Sequence, residues 1–175
     1  LYTYLYTYPG AKLLFMGSEF GEPGEWRHHE QLSWDLPLQP LHGGLQRLVT
    51  DLNHSYRSEP ALYRQAFVPE GFEWIDCNDA TQSVLSYLRR DGERFVLVVL
   101  NFTPVVRHHY RIGVPLAGAY REMINSDSRF YGGTDVGNGP QLHTQPLAWM
   151  GHDHSLSLTL PPLGAIVLQL EDGQA

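Results

Sequence analysis

Between Gly10 and Trp34 the chain reads GAKLLFMGSEFGEPGEWRHHEQLSW, and Glu19, Glu22, Glu25, Glu30 and Asp35 fall within or just beyond it. Two carboxyl groups can act as nucleophile and acid/base on a glycosidic bond, but retention needs them about 5–5.5 Å apart. Spacing alone brings no two of these together. Glu19, directly behind the apolar run Leu13–Met16, is the best placed.

Trp26 and Trp34 suit binding better than chemistry. An exposed indole offers a flat apolar platform and an N–H donor, which is what the C–H face of a sugar ring meets. Trp26, inside Glu25-Trp26-Arg27-His28, stands where a ligand-facing loop is expected; the alternative is that it packs the loop down. Trp34 reads as packing, Trp74 as core by its strand pattern, and Arg27 as the ion-pair partner of a neighbouring carboxylate. The substrate-binding candidates are therefore Trp26, Glu25 and Glu19.

The histidine clusters His28-His29, His108-His109 and His152-Asp153-His154 invite a metal reading. Adjacent residues on a strand point to opposite faces. A structural zinc site wants four ligands, and Cys77 brings no partner thiol. No metal site is assigned. Gly132-Gly133 and Gly137-Asn138-Gly139 lack the strand before and helix after that a phosphate-cradling loop requires.

The elements that must position these residues follow from periodicity. Leu13–Met16 is unbroken apolar sequence and predicts a strand buried on both faces, with Gly17–Pro40 as a long loop leaving its carboxyl end. Gly44–Glu59 predicts a helix, since Leu45, Leu48, Val49, Leu52 and Tyr56 recur at helical spacing and Pro60 ends it. Leu1–Tyr8, LYTYLYTY, alternates like a strand.

After Ala61 the rhythm changes to short strands: Gly71–Ile75, Ser83–Arg90, Arg94–Asn101, His108–Val114, Ala119–Asn125, Ser155–Leu160 and Ala165–Leu170. Asp91-Gly92 marks a hairpin between the second and third. This punctuation predicts an antiparallel β-sandwich. Its alternating apolar strands suggest a core able to fold without the preceding segment. The segment 126–145 reads as a loop, and Glu171–Ala175 as a frayed end.

LLFMGSEFG, EWRHHEQLSWDL and GGLQRLVTDLNHSYRSEPAL closely resemble the end of the catalytic barrel in bacterial 1,4-α-glucan branching enzymes of the α-amylase superfamily. The likeness continues through GFEWIDCND, NSDSRFYGGTDVGNG and SLSLTLPPLGAIVLQLE and covers nearly the whole chain. It implies a mainly β fold: residues 1–62 as the last strand and helix of a (β/α)8 barrel, and residues 63–175 as an all-β sandwich. It also turns Leu1–Tyr8 into the end of a barrel helix. The implied activity is cleavage of an α-1,4-glucan and transfer of the cut segment to a 6-hydroxyl, without metal or organic cofactor. The superfamily's catalytic carboxylates leave earlier barrel strands, so no catalytic residue is expected here. Two other readings stay open: a non-catalytic carbohydrate-binding or structural sandwich, and a related hydrolase such as a trehalose-releasing enzyme.

Composition sets the outer bounds. A whole (β/α)8 barrel needs about 250 residues, and this chain has 175 and begins without methionine, as a cut piece would. Net charge is −7 without blocks of one sign, which disfavours nucleic acid as a partner. A single cysteine allows no intrachain disulfide and fits a cytoplasmic protein. No apolar run reaches the roughly 20 residues of a membrane span. The expected partners are an α-glucan such as glycogen or amylose and the missing barrel portion.

Overall fold

The computed structural model describes residues 1–171; of the frayed end expected at Glu171–Ala175, Glu171 donates its N–H to Ala119 O at 2.8 Å and the rest lies outside the described residues. Helix α1 (Tyr2–Thr7) opens the chain. Its tyrosines alternate in sequence, but a helix stacks residues four apart. Tyr4 and Tyr8 accordingly bring their rings to 4.9 Å, and Thr3, Tyr6 and Thr7 turn inward.

The strand expected at Leu13–Met16 does not form. The segment is irregular and ends in a turn in which Ser18 N–H donates to Phe15 O at 2.8 Å. Leu13 is 78% and Phe15 60% exposed. A strand needs a neighbour for its backbone donors and acceptors, and the described residues lay no other strand beside this run. Among the described residues, helices, with no strand at Leu13–Met16, precede the β-sandwich, and the fold is mainly β and antiparallel as expected.

Helix α2 (Pro40–Ser58) begins a turn earlier than its apolar stripe, because proline at the first helical position is preset for helical φ and lacks only a donor that would be unpaired there. Glu59 breaks it in an extended conformation, and α3 (Pro60–Tyr63) restarts at Pro60. Leu48, Val49 and Leu52 are buried.

Eight strands follow: β1 (Phe72–Asp79), β2 (Val84–Asp91), β3 (Arg94–Asn101), β4 (Arg107–Val114), β5 (Ala119–Asn125), β6 (Leu142–His143), β7 (His154–Leu160) and β8 (Ala165–Leu170). They form a six-stranded sheet in the order β1-β2-β3-β8-β5-β6 and a two-stranded sheet of β4 and β7. Every pairing is antiparallel. The second and third strands pair from Val84↔Asn101 to Asp91↔Arg94 around Gly92, whose φ of +61° suits glycine.

Strand β3 explains the layering. Phe95, Leu97 and Val99 face β4 and β7 in one core, while Val96, Val98 and Leu100 face the helices in a second. Its continuous apolar run is thus a period-2 strand buried on both faces. The second core joins Tyr6, Leu48, Leu52 and Leu62 to Tyr87, Val98 and Val167. The helical layer is therefore the outer wall of the sheet.

Two buried polar residues tie the layers. Arg89 donates from Nε to Gly71 O at 2.9 Å and from Nη1 to Thr7 O at 2.7 Å, closing the carboxyl end of α1. Glu59, 2% exposed, accepts from Ala61 N–H at 3.1 Å, from Arg94 at 2.9 and 3.1 Å, and from Gln169 at 3.0 Å.

Candidate functional site

The loop between α1 and α2 is shaped by two glycines. Gly17 (φ +81°) and Gly21 (φ +73°) bracket a single 3-10 turn, Ser18–Phe20. A Cβ on Gly17 would stand 2.8 Å from Glu22 Cβ, so both conformation and space require glycine there. Phe20, fully buried, pins the turn, and His42 Nδ1 meets its carbonyl at 2.7 Å. The Tyr2 hydroxyl donates to Ser18 O at 2.6 Å, fastening the turn to α1.

Beyond the turn, Glu22 closes the loop by accepting from Ser33 N–H at 2.9 Å and Ser33 Oγ at 3.1 Å. The residues between bulge outward around a cleft of about 250 Å³, whose wall includes Glu25, Trp26, Arg27 and Leu32. Trp26 is 43% exposed and meets Phe15 edge-to-face at 5.6 Å. Phe15 thus supports an indole instead of pairing in a sheet. Arg27 Nη1 lies 3.0 Å from Glu30 Oε1, and His29 shares that oxygen at 3.3 Å. Arg27 is thereby engaged within the loop.

Of the three residues singled out from sequence, Glu25 and Trp26 line one cleft and Glu19 does not. Glu19 sits on the 3-10 turn, close enough to Tyr2 that its charge, after burial, helps push that phenol's pKa up. The other two indoles are more open within this chain than packing residues would be. Trp34 is 61% exposed, with its ring tilted on Phe20 at 5.6 Å, so it stands open beside the buried pin. Trp74, on edge strand β1, is 40% exposed despite contacts to Tyr8, Phe72 and Tyr87. Neither exposure was visible in the sequence, because each follows from which neighbours fall on the open side.

Chemically, this loop can stack and hydrogen-bond. Glu22 and Glu30 are held by their own loop neighbours, and Glu19 and Glu25 lie on different features of it. Glu22, Glu25 and Glu30 all line the cleft, Glu22 tied to Ser33 and Glu30 to Arg27, and Glu19 lies outside it.

Residues 74–171 match the alpha amylase C-terminal all-beta domain family. The chain belongs to this family. Curated relatives extend the likeness to the helical segment. The 1,4-alpha-glucan branching enzyme GlgB of Cellvibrio japonicus is 58% identical over 97% of this chain and 23% of its own length. The GlgB enzymes of Nitrosococcus oceani and Marinobacter nauticus are 56% and 52% identical over 98% and 97% of the chain. This all-beta family member thus spans about a quarter of the length of the branching enzymes it matches. Among solved structures, a debranching enzyme from Nostoc punctiforme superposes with a TM-score of 0.64 at 16% identity, over 95% of this chain and 29% of that one. That likeness extends the shared fold across the helices as well as the strands.

Proposed function

We propose that this chain works as the C-terminal part of a 1,4-α-glucan branching enzyme in glycogen synthesis. The observation that carries the reading is identity above 50% with GlgB branching enzymes across helices, loop and sandwich together. On this reading residues 1–62 belong to the end of a catalytic barrel and residues 63–175 form a bracing β-domain. The whole enzyme cuts an α-1,4-glucan, holds the segment as a covalent glycosyl intermediate and passes it to a 6-hydroxyl. Its nucleophile and acid/base come from barrel strands outside this chain. The exposed apolar residues Leu13, Phe15 and Met16 then face the rest of the barrel. Trp26 and Glu25 contribute a glucan-contacting wall, with Glu19 on the neighbouring 3-10 turn outside that cleft. A cytoplasmic setting suits this role; no helix among the described residues is long and apolar enough to cross a membrane.

The test is to incubate the full-length protein with amylose and follow new α-1,6 linkages by proton NMR. Branch formation supports the reading. Chain shortening or trehalose release without new branches would replace transfer with hydrolysis. The isolated 175-residue chain should form no branches.

A further inference from the structure

The side of the sandwich turned away from the helices carries a second cleft, of about 660 Å³, between the start of β4 and the turn before β7. We infer that this cleft is a second carbohydrate-binding site, with Trp149 as its stacking platform and Asp79, Gln82 and Arg107 as its polar floor. Its ligand class is a neutral α-glucan segment; the choice of glucan among polyols rests on the branching-enzyme reading.

The platform is held in place. Trp149 is 45% exposed at the base of a two-residue turn, Met150-Gly151, whose φ values are +47° and +80°. The flanking residues exchange both backbone hydrogen bonds, Trp149 N–H to His152 O at 2.9 Å and His152 N–H to Trp149 O at 3.0 Å. Such a turn leaves the backbone little freedom. Gly113 lets it press against β4, since a Cβ there would lie 2.1 Å from Trp149 O. A ring carried on a backbone fixed in this way adds no loop-ordering cost on binding.

The floor is a closed polar network. Asp79 accepts from the Tyr110 hydroxyl at 2.9 Å and from Gln82 N–H and Nε2 at 3.0 and 3.1 Å. Arg107 Nη2 donates to Gln82 O at 3.3 Å and Thr103 Oγ1 at 3.4 Å. Arg107 Nε is buried and has no partner among the described residues, a donor whose burial is repaid only when an acceptor reaches it. Between Arg107 and Tyr110 the ladder bulges, and His109 takes a left-handed conformation (φ +56°). His108 and His109 are both exposed as a result, against the opposite faces expected of a regular strand. Bulges that re-aim side chains are over-represented beside functional sites.

The lining sets Arg107 and Arg111 beside the carboxylate of Asp79, and both arginines donate within the fold. Arg107 is engaged with a backbone carbonyl and a hydroxyl, and Arg111 Nη1 with Ser155 Oγ at 2.8 Å. The Asp79 carboxylate stands in the floor with its oxygens engaged by Gln82 and Tyr110. What remains is an apolar face beside donors and acceptors of both kinds, the complement of a sugar ring.

The experiment is a titration of the 15N-labelled 175-residue chain with maltoheptaose, with inorganic phosphate as the parallel arm. The Trp149 indole N–H, assigned by its loss in Trp149→Phe, and the amides of residues 108–110 should shift saturably with maltoheptaose. Phosphate should not move them. Trp149→Ala should weaken this binding by about tenfold or more, as loss of an interface anchor does. A Trp149 signal unmoved by millimolar maltoheptaose, or saturated by phosphate alone, overturns the inference; the wild-type titration decides even if Trp149→Ala fails to fold. Branching by the full-length protein with an unmoved Trp149 sinks the site and keeps the proposed function. Saturable shifts at Trp149 with no branching do the reverse.

Discussion

Removing the Glu59 carboxylate should show how strongly the helical layer depends on its tie to the sheet. Glu59 caps α3 through Ala61 N–H, pairs with Arg94 on β3 through both oxygens and reaches Gln169 on β8. In Glu59→Ala, Arg94 is 52% exposed and rehydrates, so its release costs little. The Ala61 N–H is fully buried and has no such recourse. Leaving it unpaired costs about 1–3 kcal/mol. The lost bond to Gln169, charge-assisted on the acceptor side, adds about 1–2 kcal/mol, and the relieved burial of the carboxylate offsets part of this. The net loss should be about 3 kcal/mol, which for a domain of this size lowers the melting temperature by roughly 6–12 °C. Glu59→Gln retains an acceptor for Ala61 N–H and should lose roughly half as much. Thermal and urea unfolding of the three proteins measure this. A loss below about 1 kcal/mol in Glu59→Ala would mean that carboxylate desolvation cancels its hydrogen bonds, and the tie would not hold the layers.

Trp26→Ala in the full-length protein should weaken amylose binding by about 1–3 kcal/mol with the fold intact, and unchanged affinity would assign the indole to packing. Stability should climb between about pH 8 and 10. Burial, then the charge of Arg89, pulls Lys12 down to about 8, so over that window the unfolded chain holds a proton that the folded one has lost. Lys12→Met should remove the climb. Above pH 10 stability should fall. Burial raises Tyr87, Tyr110 and Tyr131 well above their usual range, and Tyr120 to about 12, so the unfolded chain ionises first. Urea midpoints across pH 7–11 test both signs. Starting the chain at Ala61 should uncover Tyr87, Val96, Val98 and Val167 and yield a dye-binding, self-associating protein, and a dispersed monomer spectrum would refute this.

The strands were legible where periodicity and turn chemistry agreed. Asp91-Gly92 marked the hairpin between β2 and β3, and the Leu156, Leu158, Leu160 alternation marked one buried face on β7. Helix α2 was equally plain in its stripe. What escaped was anything decided by absent or distant neighbours. Leu13–Met16 has the composition of a buried strand, yet strand formation depends on a partner that the chain does not place there. At the candidate site, sequence gave Glu25 and Trp26 as adjacent residues. It gave no sign that Glu22 would fold the loop back onto Ser33, or that Trp34 would stay open. The β4 bulge was equally hidden, because nothing in Arg107-His108-His109-Tyr110 announces a left-handed residue.

The same dependence on neighbours is why we expect the β-domain not to be self-sufficient, although its strands suggest that it is. The alternation Val96, Val98, Leu100 against Phe95, Leu97, Val99 fills two cores, and only the second trio is covered by other strands. A strand apolar on both faces is stable only when both are covered, and here the first is covered by α1, α2 and α3. Arg89 makes that cover specific. It reaches from β2 through the core to the last carbonyl of α1, where a cation also meets the negative end of the helix dipole. The helical segment and the sandwich therefore share one core, and the loop that carries Trp26 runs between α1 and α2, both of which pack into it. On the proposed function this gives the β-domain its work: it holds the end of the barrel, and with it the glucan-facing loop, at a fixed angle to the sheet.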